Sequence, residues 1–528
     1  MHEMQIIQQA KEGTVVPVVH TETNDETRCA IEYFAKLSDY GRKANCILLE
    51  SADIVPKYGE NSIGTADPCL KITGRGDEFR IRSLNGLGRR FCEFLDGSFD
   101  FADVEYGKTI RGTLRPQRES VSEEERLKLI THADILRAVA FRFRPTVKPF
   151  VPYCGLFGTI SYDFIDQFED LPKNKADTLD APDYEMFYCD NLFLINHKEK
   201  KTHFIANALI MDDDRDAAYE RCTRVIESYR KTIHRRMPGK HPYKNTPPRP
   251  KSDTTKAEYE AIVSRIKRHI VAGDVFQAVP SRTIVSGYNS EPLDIYRRLR
   301  SLNPSPYMFY VNSETILIGA SPEMAIRVTG DREKTVEMRP IAGTKPRGII
   351  KGKIDRDLDS RYETELKIDE KELAEHVMLV DLARNDVAKI SIPGTRVVDE
   401  PFVVEKYSHV QHLVSNIRGT LKPGYDALHA YLATMNMGTV TGAPKVEAMK
   451  LIRNLEKSKR GFYGGTVGYL TPSGDMDSAI VIRTMCLKGG RAYIRAGAGV
   501  VYDSSPESEY LETEKKAGAC LKALGAEK

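Results

Sequence analysis

Between Gly464 and Tyr502 the chain reads GGTVGYL, TPSGD, SAIVIRTM, a Gly-Gly pair and RAYIRAGAGVVY. These are short runs rich in β-branched and aromatic residues, separated by turns of a few residues. Such turns are too short for the crossover that a parallel pair requires, so the runs are expected to form an antiparallel, three-stranded meander closed by a final helix. The same grammar recurs upstream. YMFYV and ILIGAS flank a turn at Asn312 and Ser313, and EMAIRV and KTVEMRPIAG follow. In the first half, GLFGTISYDF, MFYCDNLFLINHK and KTHFIANALIM have strand composition too. Helices lie between these groups of hairpins, which places the chain in the α+β class with large antiparallel sheets and excludes a doubly wound parallel fold.

A chain of 528 residues exceeds one ordinary domain. The stretch RRMPGKHPYKNTPPRPKS, rich in Pro and basic residues and free of acids, marks a boundary. The expected organisation is a domain over 1–235, a linker over 236–252 and a second domain over 253–528. A formal charge of +3 gives no reason to expect nucleic acid or an anionic membrane. Nine scattered cysteines without a CxxC pair argue against a disulfide framework or a structural zinc. With no apolar signal core at MHEMQIIQQAKEG and no run long enough to span a bilayer, a cytoplasmic location is expected.

Several stretches carry residues that need a chemical explanation. DEKELAEHVMLVDLARND, from Asp369 to Asp386, has helical periodicity, with Leu373, Val377, Leu379, Val380, Leu382, Ala383 and Val387 in one apolar arc. Glu372, Glu375 and His376 fall inside that arc. Buried carboxylates require a cation, an arginine or a metal; the alternative is that Asp369 and Glu372 form a capping box and Glu375 lies at a wet edge. In SAIVIRTM, Arg483 points inward and needs an anion, either a ligand carboxylate or a structural partner. Gly497 and Gly499 bracket Ala498, a spacing that suits close approach to the backbone by a ligand or by a packed helix. The last helix begins at Ser505–Pro506 and aligns Glu509, Glu512 and Lys516 on one flank, which also suits an ordinary i,i+4 surface pair. GTVTGAPK lacks the GK-Ser/Thr of a phosphate loop, so nucleotide binding is discounted.

Taken together, SPYMFY, GASPEMAIRV, RPIAGTKPRG, ELAEHVMLVDLARND, MNMGTVTGAPK, RGFYGGTVGYL, VIRTM and RAGAGVVYDSSPESEYLET resemble the chorismate-utilising enzymes, and among them the large-subunit (component I) branch of the anthranilate synthases. The resemblance is dense over 253–528 and looser before residue 230. It implies a catalytic half with two antiparallel sheets sandwiched by helices, preceded by an α+β regulatory domain. It further implies conversion of chorismate and ammonia to anthranilate and pyruvate by way of aminodeoxyisochorismate, the first committed step of tryptophan biosynthesis. By the same resemblance, Mg²⁺ is held by Glu375 and Glu512, with Glu372 beside them. Tyr463 and Arg483 contact the enolpyruvyl carboxylate. Gly343, Thr344, Gly497, Ala498, Gly499 and Lys516 complete the substrate site, and Glu323 is the general acid for loss of the ring hydroxyl. His412 handles the later proton transfer, and Thr439 joins the catalytic set.

Two positions separate members of the family. Water-adding relatives carry a lysine where this chain has Gln277, and a neutral amide cannot deprotonate water. The para-aminobenzoate branch carries a lysine nucleophile where this chain has Ala342. Both favour ammonia addition on the anthranilate branch over aminodeoxychorismate synthesis; a non-catalytic tryptophan-binding relative is a further alternative. No glutaminase motif is visible around Cys154 or elsewhere. The resemblance therefore implies a separate glutamine amidotransferase subunit (component II) in a heterotetramer of two large and two small chains. It also implies feedback by L-tryptophan at Glu50 and Ser51 in LLESAD, at Pro306, Tyr307 and Met308, and at Val467 and Tyr469. The chain contains no tryptophan of its own, consistent with synthesis during starvation for that product.

Overall fold

The computed structural model describes residues 2–23, 29–51, 61–114, 123–147, 150–241 and 248–526. Among them, two large sheets dominate, one of twelve strands and one of thirteen, in which twelve follow one path and Val397–Lys406 branches from it by pairing with Val410–Thr420. Neighbouring strands pair antiparallel throughout, apart from a short parallel contact between Thr14–Thr23 and Arg144–Pro145. Side-chain alternation explains how the sheets stack. In Cys46–Glu50 and Tyr307–Asn312, Ile47, Phe309 and Val311 point into a core that also contains Ile72, Leu156 and Val328 of the thirteen-stranded sheet. Their neighbours Leu48, Met308 and Tyr310 point the other way, against helices Ala30–Leu37, Pro292–Leu302 and Pro506–Leu524. The result is the expected α+β sandwich, with one apolar layer between the sheets and another under the helices.

The two halves of the sequence share both sheets. Cys46–Glu50 pairs with Tyr307–Asn312 from Met308↔Glu50 to Asn312↔Cys46, and Gly155–Ile160 pairs with Thr466–Leu470 over five residues. The stretch 236–252 thus connects two portions of one continuous sandwich, and its last two residues, Lys251–Ser252, are themselves a strand of the twelve-stranded sheet.

The expected three-stranded meander divides between sheets. Thr466–Leu470 and Met476–Ile480 belong to the thirteen-stranded sheet, whereas Thr484–Lys488 and Arg491–Gly497 belong to the twelve-stranded one. SAIVIRTM is therefore two strands, and Arg483 lies at the corner with φ 52°. The turn Ser321–Met324 makes a second crossing of the same kind between Ile316–Ser321 and Met324–Thr329. All nine cysteines are free, and eight are buried. No helix among the described residues is long and apolar enough to cross a membrane.

Candidate active site

The two crossings are hydrogen-bonded to each other. The Ile480 amide donates to the Glu323 carbonyl at 3.1 Å, and the Ala320 amide donates to the Arg483 carbonyl at 3.2 Å. Leaving one sheet for the other turns Glu323 and Arg483 out of both ladders and brings them together. Glu323 is buried, and burial pushes its carboxyl up to about 8; the facing Thr439 hydroxyl, the Ile341 amide and the charges of Arg483 and Lys516 oppose this only in part. Thr439 Oγ1 is buried without a hydrogen bond of ordinary geometry. Burial lowers the Arg483 pKa, with Glu512 the foremost carboxylate opposing that effect, and the guanidinium makes no side-chain hydrogen bond among the described residues. An arginine desolvated in this way is prepared for a carboxylate.

A second wall comes from Ile341–Pro346 and Val410–Thr420, whose pairing shifts register between Ala342 and Thr344. Gly343 takes up the irregularity at φ 64°, and a Cβ there would lie 2.8 Å from Leu366 Cδ1 and 3.0 Å from Glu372 Oε2. Opposite Thr344 is His412, whose Nδ1 lies 3.1 Å from the Gly343 carbonyl and 3.0 Å from Thr344 Oγ1. A carbonyl only accepts, so this contact assigns the ring proton to Nδ1 and leaves the lone pair on Nε2. Burial holds His412 neutral, with its pKa lowered to about 4.

The carboxylates come from two helices. Glu370–Ile390 is capped by Asp369, which accepts from the Glu372 amide at 3.2 Å. Only this half of the expected capping box forms, so the Glu372 side chain is free to turn towards Gly343. Val377 departs from the expected apolar arc and is 51% exposed, because the helix packs through Leu379, Val380, Ala383 and Val387. His376 is buried against Phe402 and bonds Ser415 Oγ at 2.8 Å. Glu375 accepts from Gln277 Nε2 at 3.0 Å, and Gln277 Oε1 is left buried without a partner. Gly499 makes this contact possible, since a Cβ on it would stand 2.5 Å from Gln277 Nε2. Two residues earlier, Gly497 leaves room for Tyr463, whose hydroxyl lies 2.9 Å from where a Cβ would be. Between them, the Ala498 amide bonds the Pro280 carbonyl at 3.3 Å.

From Pro506–Leu524, Lys516 donates to the Gly497 carbonyl at 3.1 Å and stands 3.6 Å from Glu512. Burial, followed by the charge of Arg483, depresses its pKa. Burial raises the pKa of Glu372, Glu375 and Glu509, and repulsion among neighbouring acids adds to it: Asp369 and Glu512 act on Glu372, Glu372 and Glu509 on Glu375, and Glu512 on Glu509. A cation would relieve that repulsion. No three metal-ligating side chains are gathered as a preformed cage among the described residues. A pair of carboxylates that leaves positions for water and substrate oxygens fits magnesium better than calcium or zinc.

The residues expected to bind tryptophan form a separate group. Glu50, Ser51, Pro306, Tyr307, Met308, Val467 and Tyr469 all line one cavity of about 350 Å³ between the sheets. The segment following Ser51, residues 52–60, lies outside the described residues. At the cavity wall Tyr307 donates to Asp477 at 3.0 Å, and Arg327 pairs with the same carboxylate at 2.8 Å. Tyr296 and Arg300 meet Glu50 from the adjoining helix.

Sequence reasoning missed Glu456, Arg460 and Arg495, which join beneath the substrate wall. The first two are four positions apart just beyond the helix Lys445–Leu455, where no local pattern marks them, and both are buried. The lysine of GTVTGAPK, Lys445, is occupied by Asp386 and the Thr434 carbonyl, in accord with the discounted phosphate loop.

Comparison with known proteins identifies the family. The family described as chorismate binding enzyme matches residues 101–522. Anthranilate synthase component 1 of Vibrio cholerae serotype O1 is 40% identical over 488 residues, covering 91% of this chain and 92% of that protein. The Escherichia coli K12 protein of the same name is 40% identical over 490 residues, covering 92% of each. Among solved structures, anthranilate synthase component I from Streptococcus pneumoniae TIGR4 superposes with a TM-score of 0.68 at 32% identity, covering 88% of this chain and 92% of that one. The menaquinone-specific isochorismate synthase of Escherichia coli shares the fold, with a TM-score of 0.64 at 15% identity. With the acid and guanidinium at the sheet crossings and a family match over most of its length, the chain belongs to the chorismate-binding enzymes.

Proposed function

We propose that the protein is the chorismate-aminating chain of an anthranilate synthase, converting chorismate and ammonia into anthranilate, pyruvate and water. The observation that carries this reading is the meeting, at two hydrogen-bonded crossings, of a carboxyl that stays protonated near neutral pH and a guanidinium to which no carboxylate is hydrogen-bonded among the described residues. Arg483 and Tyr463 bind the enolpyruvyl carboxylate, while Lys516 and the Gly497–Gly499 backbone border the ring. Glu375 and Glu512, with Glu372 alongside, hold Mg²⁺, which when bound neutralises the ring carboxylate of the substrate.

Ammonia arrives with its own lone pair and needs no base before it attacks. Gln277 suits this step because it is neutral and its buried Oε1 is available to accept an N–H. As the C–N bond forms, the ring C–O bond breaks, and Glu323 delivers its proton to the departing hydroxyl so that water leaves. In the second step His412, neutral and with its lone pair on Nε2, accepts the ring proton as pyruvate is eliminated and the ring becomes aromatic. Thr439 orients the Glu323 carboxyl.

By its likeness to proteins named component 1, this chain works with a second component, which we infer to be a glutamine amidotransferase that supplies ammonia in a cytoplasmic heterotetramer. The cavity between the sheets is the site for L-tryptophan as feedback inhibitor, a reading supported by the convergence of its seven expected residues on one wall system. Purified protein incubated with chorismate, Mg²⁺ and ammonium should develop anthranilate fluorescence and release pyruvate in equal amounts, and tryptophan should suppress both. Absence of chorismate consumption would leave a binding protein, and a para-substituted product would place the chain on the neighbouring branch.

A further inference from the structure

Glu456 is the most heavily satisfied buried carboxylate near the site. Its Oε1 accepts from the Ser281 amide, from Ser281 Oγ and from Arg460, each at 2.7 Å. Its Oε2 accepts from Arg495 at 2.7 Å and from Arg460 Nε at 3.1 Å. Two guanidiniums around one carboxylate leave a surplus positive charge in the interior, an arrangement that stability alone does not favour, because desolvation of three ions is costly.

Each arm of this cluster ends next to a group of the site. Arg460 donates to the Val440 carbonyl at 2.7 Å, one residue from Thr439, and to the Val279 carbonyl at 2.6 Å, two residues from Gln277. Arg495 lies on the strand that ends at Gly497 and binds Ser281 Oγ at 2.8 Å. The Arg460 guanidinium also lies 4.5 Å from the Tyr162 ring centre and 5.6 Å from that of Tyr463, within cation–π range of both. A cation held against a phenol ring draws electron density from its hydroxyl and makes it a better donor. The Tyr463 hydroxyl is the one that stands over Gly497.

We infer that Arg460, fixed by Glu456, is a positioning residue for substrate binding: it orients Tyr463 and strengthens its hydroxyl as a donor to the carboxylate of chorismate. This inference rests on the reading of Tyr463 as a carboxylate contact. A lysine at 460 keeps the charge but cannot reach Glu456, Val279 and Val440 together, so the phenol loses its fixed cation.

The test is a double-mutant cycle on the full chain, with KM for chorismate, kcat and thermal melting measured for Arg460→Lys, Tyr463→Phe and the pair. Each single variant is expected to raise KM by roughly 3- to 30-fold with a smaller change in kcat. The pair should be no worse than the poorer single variant. Independent, multiplying effects, or an unchanged KM in folded Arg460→Lys, would overturn the inference. If Arg460→Lys does not fold, Glu456→Gln takes its place in the same cycle, and multiplying effects would again overturn it. Failure of both to fold would identify the cluster as scaffold and reject a positioning role. Unmutated protein that leaves chorismate untouched would reject the proposed function itself, an outcome separate from all of these.

Discussion

At the scale of single residues, the site depends on groups whose protonation burial has moved away from the ordinary. Glu323 has its carboxyl at about 8 against an ordinary 4.5. As the acid, it should keep turnover level below pH 8 and let it fall as the proton is lost above. The sign for stability is the same: the contribution of the neutral carboxyl is complete below pH 4.5 and is lost as pH rises through about 8. Glu323→Gln should therefore melt with a weaker dependence on pH between those values while losing turnover, which melting curves and rates over one pH series will measure. Glu375→Gln and Glu512→Gln should each abolish ammonia-dependent anthranilate formation, by at least about 100-fold if both ligate the ion. Chelation of Mg²⁺ should do the same to the unmutated protein and be reversed by adding the metal back. Glu372, Glu375 and Arg483 stood out in the sequence because charged residues interrupt apolar patterns there, whereas Glu323, and Glu512 as more than a surface pair, were singled out only by the family resemblance. The Gln277–Glu375 bond was not, since it joins residues 98 positions apart with no local signal.

At the scale of elements, close backbone approach is the working part. Gly499→Ala places a methyl group 2.5 Å from Gln277 Nε2, so the amide must withdraw from Glu375. Ammonia-dependent turnover is expected to drop about tenfold or more, while overpacking costs only about 1–3 kcal/mol of stability, a separation that kinetics and denaturant unfolding on one preparation will reveal. Strands and turns were readable because their period and turn residues are local. Their assignment to sheets was not readable. SAIVIRTM contains neither Gly nor Pro to mark a break, yet the chain changes sheets between Ile480 and Thr484. An uninterrupted apolar run suits a crossing as well as a strand, because both are buried.

At the scale of the molecule, the basic, proline-rich stretch marks a change in composition that the pairing of strands does not respect. Residues 253–528 expressed alone would expose the edges of Tyr307–Asn312 and Thr466–Leu470, which in the whole chain are covered by the first half. That fragment should aggregate, and the intact chain should unfold in one calorimetric transition. The cavity between the sheets is walled by Tyr307 and Phe309 from one sheet and by Val467, Tyr469 and Asp477 from the other. If tryptophan there opposes chorismate, linkage requires chorismate to weaken tryptophan by the same factor, and calorimetric titration with and without saturating chorismate checks the equality.

The mutual hydrogen bonds of the two crossings act as a rivet. Glu323 and Arg483 ride on the same fastening, so a sliding or twisting of one sheet over the other carries them as a pair and preserves the span between them. His412, on the strand facing the Gly343 irregularity, and Glu375, on its helix, are mounted outside the rivet. Distortion of the sandwich is thus felt as a change in how far these two partners stand from a gauge of constant length.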